Sequence, residues 1–226
     1  MKPFPPGRAR RDATLRVRMP FRSFLALSLA CGLISACGQV QLPDLASYLP
    51  GGARPAMRWD ERPEAASWTA RAMRAVGRHD DALAGHVPAD IDTFCPRYRT
   101  AALADRRAFW VGLVSATSKH ESSYNPRASG GGGRYIGLMQ ISPGTARQAG
   151  CEARTTAALK DGAANLECAV EIFAPHVAQD GMVAGSGNRG VARDWGPFSR
   201  KSKRAEIAAW TAKQAYCQAP TRLATR

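Results

Sequence analysis

The sequence predicts a mainly α-helical domain, and three observations carry that expectation. Apolar residues recur at helical spacing in five stretches, no stretch alternates apolar and polar residues over the length of a strand, and no segment repeats another. At 226 residues with 45% apolar side chains, the chain has room for one domain with its own core plus appendages.

The first helical stretch, Pro63 to Val76, follows a segment over 38–62 that is rich in Pro, Gly and Ala and has no sustained period, so it reads as a tether. Tyr98 to Arg107 then leads into a helix running to Glu121. Trp110, Val114, Thr117 and Glu121 recur there at spacings of four, three and four, which puts the Glu121 carboxyl on the apolar face. Asn125-Pro126 disfavours helical geometry just beyond, so Glu121 falls in the last turn, beside the loop that follows. Ser129 to Gly133 and Gly137 keep side chains clear of that loop, and Arg134-Tyr135-Ile136 suits a small hairpin. Ser142-Pro143 has the form of an N-cap followed by proline at the first helical position, opening Pro143 to Gln148. Ala163 to Gln179 carries Leu166, Ala169, Val170, Phe173 and Val177 on one face, and Ser202 to Tyr216 closes the series.

A carboxyl at the lip of an apolar wall is disfavoured as an anion, which raises its pKa and suits a general acid. Competing chemistries fail on spacing. His120-Glu121-Ser122-Ser123-Tyr124 opens like a helical zinc-protease motif but has tyrosine where the second histidine must stand. Gly130 to Gly133 lacks the Gly-Lys-Ser/Thr of a phosphate loop, Ser122 and Ser123 lack a nucleophile elbow, and the four histidines show no ligand spacing. No metal and no cofactor is therefore expected.

Glu121-Ser122, Tyr124-Asn125-Pro126, Ser129 eight residues past the glutamate, and Gly137-Leu138-Met139-Gln140-Ile141 followed by Pro143, Thr145 and Ala146 together resemble the lytic transglycosylases of the soluble (SLT) type, relatives of goose-type lysozyme. The similarity covers Phe109 to Ala149 well and Asn165 to Phe173 loosely. It implies a lysozyme-like fold and peptidoglycan glycan strands as substrate. It also implies that Glu121 protonates the glycosidic oxygen between MurNAc and GlcNAc and then, as carboxylate, deprotonates the muramoyl 6-hydroxyl to give a 1,6-anhydro product. Ser129 and Gln140 match the family's pattern and are candidates for gripping the sugar, as are Met139 and, from its position alone, Tyr135. The family's A-Y-N-x-G block is missing, and the region Gly187 to Phe198 stands in its place. Trp195 there is a candidate platform for a sugar ring, against the alternative of a core tryptophan. Two other readings stay open: a muramidase using Asp161 or Asp194 to activate water, and a non-catalytic peptidoglycan-binding envelope lipoprotein.

Phe24 to Ala36 is an apolar run too short to span a bilayer and is preceded by basic residues, which marks an export signal. Ile34 to Gly38 resembles a bacterial lipobox with Cys37 as the acylated residue. This gives a signal over 1–37, with 1–18 either a misassigned start or a basic extension, a tether over 38–62 and a domain over 63–226. The expected site is the periplasm, anchored to the outer membrane through the lipid, with envelope or secretion machinery as possible company. Removing 1–37 leaves 25 basic against 17 acidic residues, a formal charge of +8. A basic exported protein suits an acidic envelope polymer, and no recognition-helix or RNA-binding motif favours nucleic acid. The run Arg200, Lys201, Lys203 and Arg204 reads as a solvated helix start.

Four cysteines remain after the signal and allow three disulfide pairings. Cys151 with Cys168 is preferred because it staples the loop between two predicted helices, which leaves Cys95 with Cys217.

Overall fold

The computed structural model describes residues 54–219. Cys37, the apolar run before it and most of the expected tether lie outside those residues. Six helices and one hairpin follow in order: α1 (Ala65–Arg78), α2 (Ile91–Phe94), α3 (Leu103–Ser122), β1 (Ser129–Gly130), β2 (Tyr135–Ile136), α4 (Pro143–Gln148), α5 (Gly162–Asp180) and α6 (Lys201–Ala212). Short 3-10 turns fill several of the connections. The fold is mainly helical and lysozyme-like, as the sequence predicts.

The central helix is α3, which is buried without interruption from Ala108 to Ser118. A helix buried on every side runs through a core, and α1 and α6 both pack on it while α1 also packs on α5. Aromatic rings knit this core. Tyr98 meets Phe109 edge to face, Trp110 stacks on Phe173 at 5.9 Å, and Phe173 meets Trp195. The two buried polar tips are matched: Trp110 Nε1 donates to the Tyr98 hydroxyl, which donates in turn to the Leu83 carbonyl oxygen, each at 2.9 Å.

Helix starts follow the chemistry of their caps. Ser142 Oγ accepts from Thr145 N with Pro143 in the first turn of α4, and Asp161 Oδ1 accepts from Ala164 N at the head of α5. At its other end α3 stops on Ser123, and Tyr124 follows; both are left-handed, with φ of 50° and 63°.

Three boundaries differ from the sequence expectation. The tether does not extend to residue 62: Met57 and Trp59 are already buried, Trp59 Nε1 donates to Thr69 Oγ1, and its ring stands edge-on to Trp68. Tyr98 to Thr100 is a separate 3-10 turn, because extended Ala101 and Ala102 break the chain before α3. The last helix ends at Ala212 instead of Tyr216, and a second turn, Ala215–Cys217, brings Cys217 to Cys95. Both disulfides, Cys95–Cys217 and Cys151–Cys168, take the preferred pairing. Beside the first, the Tyr216 hydroxyl donates to the Ala56 carbonyl oxygen at 3.3 Å.

Candidate active site

Glu121 sits in the last turn of α3, where the helix leaves the core, and is half-buried. Burial pushes its carboxyl above the usual carboxylate range, with the Lys203 ammonium acting in the opposite sense. Among the described residues no hydrogen bond holds the carboxyl, so its proton is free to be given to a ligand.

The wall beside it is the turn after β2. Ser122 donates its hydroxyl to the Leu138 carbonyl oxygen at 2.9 Å, which fastens the end of α3 to that turn. From behind, Asn165 is fully buried in the first turn of α5 and ties the turn after β2 to the backbone at Leu159. Its Oδ1 accepts from Met139 N at 2.8 Å, and its Nδ2 donates to the carbonyl oxygens of Ile136 and Leu159 at 2.9 and 3.0 Å. Gly137 is obligatory here: its φ is 83°, and a Cβ would collide with the Asn165 amide and the Leu159 carbonyl. Gln140 is left-handed as well, at φ 49°. Ser123 and Tyr124 at the end of α3 and Gln140 in the turn after β2 are thus three non-glycine residues with positive φ, each conformation costing of order 1–3 kcal/mol.

The hairpin pairs Ser129 with Ile136 and Gly130 with Tyr135, and Ile136 bridges on to Ile141. Ser129 is exposed, Tyr135 is 42% exposed, and Gln140 is half-buried with Nε2 donating to the Gly137 carbonyl oxygen at 2.9 Å and Oε1 beside Gly130. These three sequence candidates therefore gather on one accessible edge. Met139 and Trp195 do not join them. Met139 is 1% exposed, and Trp195 is 4% exposed with Nε1 donating to the Met139 carbonyl oxygen at 2.9 Å. Both belong to the layer beneath the turn, because an indole N–H that finds a buried carbonyl has no cause to face solvent. Trp195 supports the site from inside instead of stacking on a sugar.

The carboxylates that a water-activating role would need are engaged elsewhere. Asp161 caps α5, and Asp194 lies 3.2 Å from His176 Nε2. A cavity of about 650 Å³ between α1 and α5 is crossed by its own ion pairs, Arg71–Glu167 and Arg78–Glu171, and includes none of the residues around Glu121.

One cluster escaped sequence reasoning. Glu206 on α6 receives Arg58 through two hydrogen bonds, Lys119 at 3.3 Å and His120 Nε2 at 2.8 Å, all next to the Glu121 turn. The hydrogen bond from Arg58 leads in pulling the Glu206 carboxyl down to about 2. Burial pushes the Tyr124 phenol up to about 12 on the same side. The partners are 86 to 148 residues apart in sequence, so no local pattern announces them.

Residues 100–209 match the family model for the transglycosylase SLT domain. This segment is similar to transglycosylase SLT domains. Its span runs from the turn before α3 into α6 and includes Glu121, the hairpin and Asn165, whereas α1 and Arg58 lie outside it and pack onto it. Among solved structures the chain is similar to DslA in a wild-type form, at 25% identity, and to two glutamate-to-glutamine variants of DslA, at 26% and 24%. Each comparison has a TM-score of 0.66 and covers 74% of this chain and 100% of the other. No curated protein matches the chain.

Proposed function

We propose that the chain carries an SLT-type domain that cleaves the MurNAc-GlcNAc β-1,4 bond of peptidoglycan without water, with Glu121 as acid and then base. The observation that carries this reading is the half-buried, unbonded Glu121 carboxyl at the end of a core helix, one residue before Ser122 ties that helix to a turn held by Asn165. Protonated, Glu121 donates to the glycosidic oxygen, and the bond from muramoyl C1 to that oxygen breaks. The carboxylate left behind accepts the proton of the muramoyl 6-hydroxyl, whose oxygen attacks C1 and closes a 1,6-anhydro ring. One carboxyl suffices because proton donor and proton acceptor act in sequence, whereas hydrolytic glycosidases use a second carboxylate for water or for a covalent intermediate. Ser129, Tyr135 and Gln140 would line the strand's path over the hairpin. The lipobox-like segment ending at Cys37 supports an exported protein anchored to the outer membrane, close to this polymer.

The test is digestion of purified sacculi followed by mass spectrometry. Anhydromuropeptides, lighter by one water (~18 Da) than hydrolytic products, are expected; reducing-end products would keep the site and change the reaction to hydrolysis.

A further inference from the structure

Glu121 has a neighbour on each side that is tied to a different part of the fold. Helix α3 is buried as far as Ser118, and its last turn then leaves the core, where a helix runs out of partners for its carbonyl groups. On one side of Glu121, Ser122 reaches the turn after β2 through the Leu138 carbonyl oxygen. On the other, His120 Nε2 lies 2.8 Å from Glu206 Oε2 on α6, and Lys119 reaches the same carboxyl at 3.3 Å. Successive residues of a helix point ~100° apart, so the two ties brace the Glu121 backbone from separate directions.

Glu206 would be a loose anchor by itself, because its side chain is 36% exposed. Arg58 fixes it. Its two terminal nitrogens donate one to each oxygen of the Glu206 carboxylate, and such a fork sets the orientation of a carboxylate as well as its position. Arg58 is held in its turn: its backbone N–H donates to Ser115 Oγ at 3.0 Å, on the buried stretch of α3, and its guanidinium lies 5.8 Å from the centre of the Trp210 ring on α6. Only 14% of its side chain is exposed. Withdrawing that charge from water returns little stability through a partly exposed partner, whereas it does give the carboxylate a fixed direction. Arg58 precedes α1 and lies outside residues 100–209, so the brace comes from a part of the chain that the family model does not match.

We propose that Arg58 and Glu206 are positioning residues for Glu121, a brace that reaches the last turn of α3 through His120 and holds the carboxyl where proton transfer requires it. This role deepens the reading of Glu121 as the acid and rests on it. Neither residue needs to touch the substrate, since both act through the backbone that carries Glu121. A misplacement of ~1 Å at a reacting group can cost ~10²-fold in rate, so a loosened brace shows itself in turnover.

The experiment uses the full chain and soluble glycan strands, released from sacculi by an amidase, at a temperature well below the melting point of every variant. Arg58→Gln and Arg58→Lys both lose the fork, and the second keeps the charge, so it carries the test if the first does not fold. Each should lower kcat roughly ten- to hundredfold and leave KM within about twofold. Adding Glu206→Gln to Arg58→Gln should cost little more, because the two act as one unit. Arg71→Gln, which breaks the Arg71–Glu167 pair between α1 and α5, should leave kcat unchanged. A kcat unchanged by loss of the fork, a loss confined to KM, fully additive losses in the double variant, or an equal fall in Arg71→Gln overturns the proposal. Carbon-13 NMR titration of the Glu121 carboxyl without substrate gives a reading independent of cleavage. In Arg58→Lys the loosened turn admits water and moves the carboxyl towards the ordinary range, and a titration identical to wild type overturns the brace. Wild-type protein that cuts no strand would instead overturn the reading of Glu121 as acid, and the titration would still decide the brace.

Discussion

Asn165 accepts from the Met139 backbone N–H at 2.8 Å across 26 residues of sequence, and this bond makes the turn beside the candidate site an extension of helix α5. Asn165→Ala leaves one buried N–H and two buried carbonyls without that partner. At ~1–3 kcal/mol for an unsatisfied buried group, the variant should lose roughly 2–4 kcal/mol. Urea denaturation checks the figure, and a change below 1 kcal/mol would mean that the turn stands without Asn165.

Glu121→Gln keeps the shape of the side chain but has no proton to give. Activity on sacculi should fall by about 10²–10⁴-fold or more, and retained activity would remove Glu121 from the chemistry. Stability carries a second signature. Burial raises the folded-state pKa of Glu121, so the wild type is favoured while the group is protonated and loses that advantage as pH rises through the folded value. The glutamine variant cannot ionise, so its melting temperature relative to wild type should climb as pH rises through and above the ordinary carboxylate range.

Glu206 runs the opposite way. Its carboxyl is held near 2 against an ordinary 4.5, so its stabilising effect is present above 4.5 and is lost as pH falls towards 2. At 36% exposure solvent screens the pairs, and the effect belongs at the modest end, on the order of 1 kcal/mol. Glu206→Gln should flatten the dependence of Tm on pH between 5 and 2. An unchanged acid limb would show that other carboxylates set it.

How much of this was legible in the sequence depended on how local the signal was. Helix α5 announced itself through Leu166, Ala169, Val170, Phe173 and Val177, and Ser142-Pro143 marked the start of α4, because caps and periods are written in neighbouring residues. Glu121 was found by its spacing from Trp110, although α3 proved buried on all sides along its middle, small polar residues Ser115, Thr117 and Ser118 included, instead of having one buried face. Met57 and Trp59 were misread as tether, since single large residues in a Pro- and Gly-rich setting have no period to expose them. Met139 and Trp195 were misplaced for a different reason. Being beside a motif does not say which way a side chain points, and the buried carbonyl that takes the Trp195 indole lies 56 residues away.

The two disulfides should differ in worth. Cys151–Cys168 spans 17 residues and Cys95–Cys217 spans 122. In the chain-entropy picture their removal costs ~3 and ~5 kcal/mol respectively. Paired Cys→Ser variants, compared by chemical denaturation, should rank in that order. Alkylation of the native, unreduced domain should find no free thiol among these four.

Cys37 is tested by processing. With Cys37→Ala, lipidation and membrane association should both be lost while the domain's activity on isolated sacculi persists. A variant that stays on the membrane with unchanged processing would rule out the lipobox.

The hydrogen bond from Tyr216 to Ala56 joins the first and last packed turns of the domain, and Cys217–Cys95 locks the join. The first and last packed turns of the domain therefore lie side by side. Such a module can be spliced into a surface loop of another protein, or its ends joined and the chain reopened elsewhere, with little disturbance to its packing. The natural place to reopen it is Gly132 at the hairpin tip, where a Cβ would meet no atom within 4 Å.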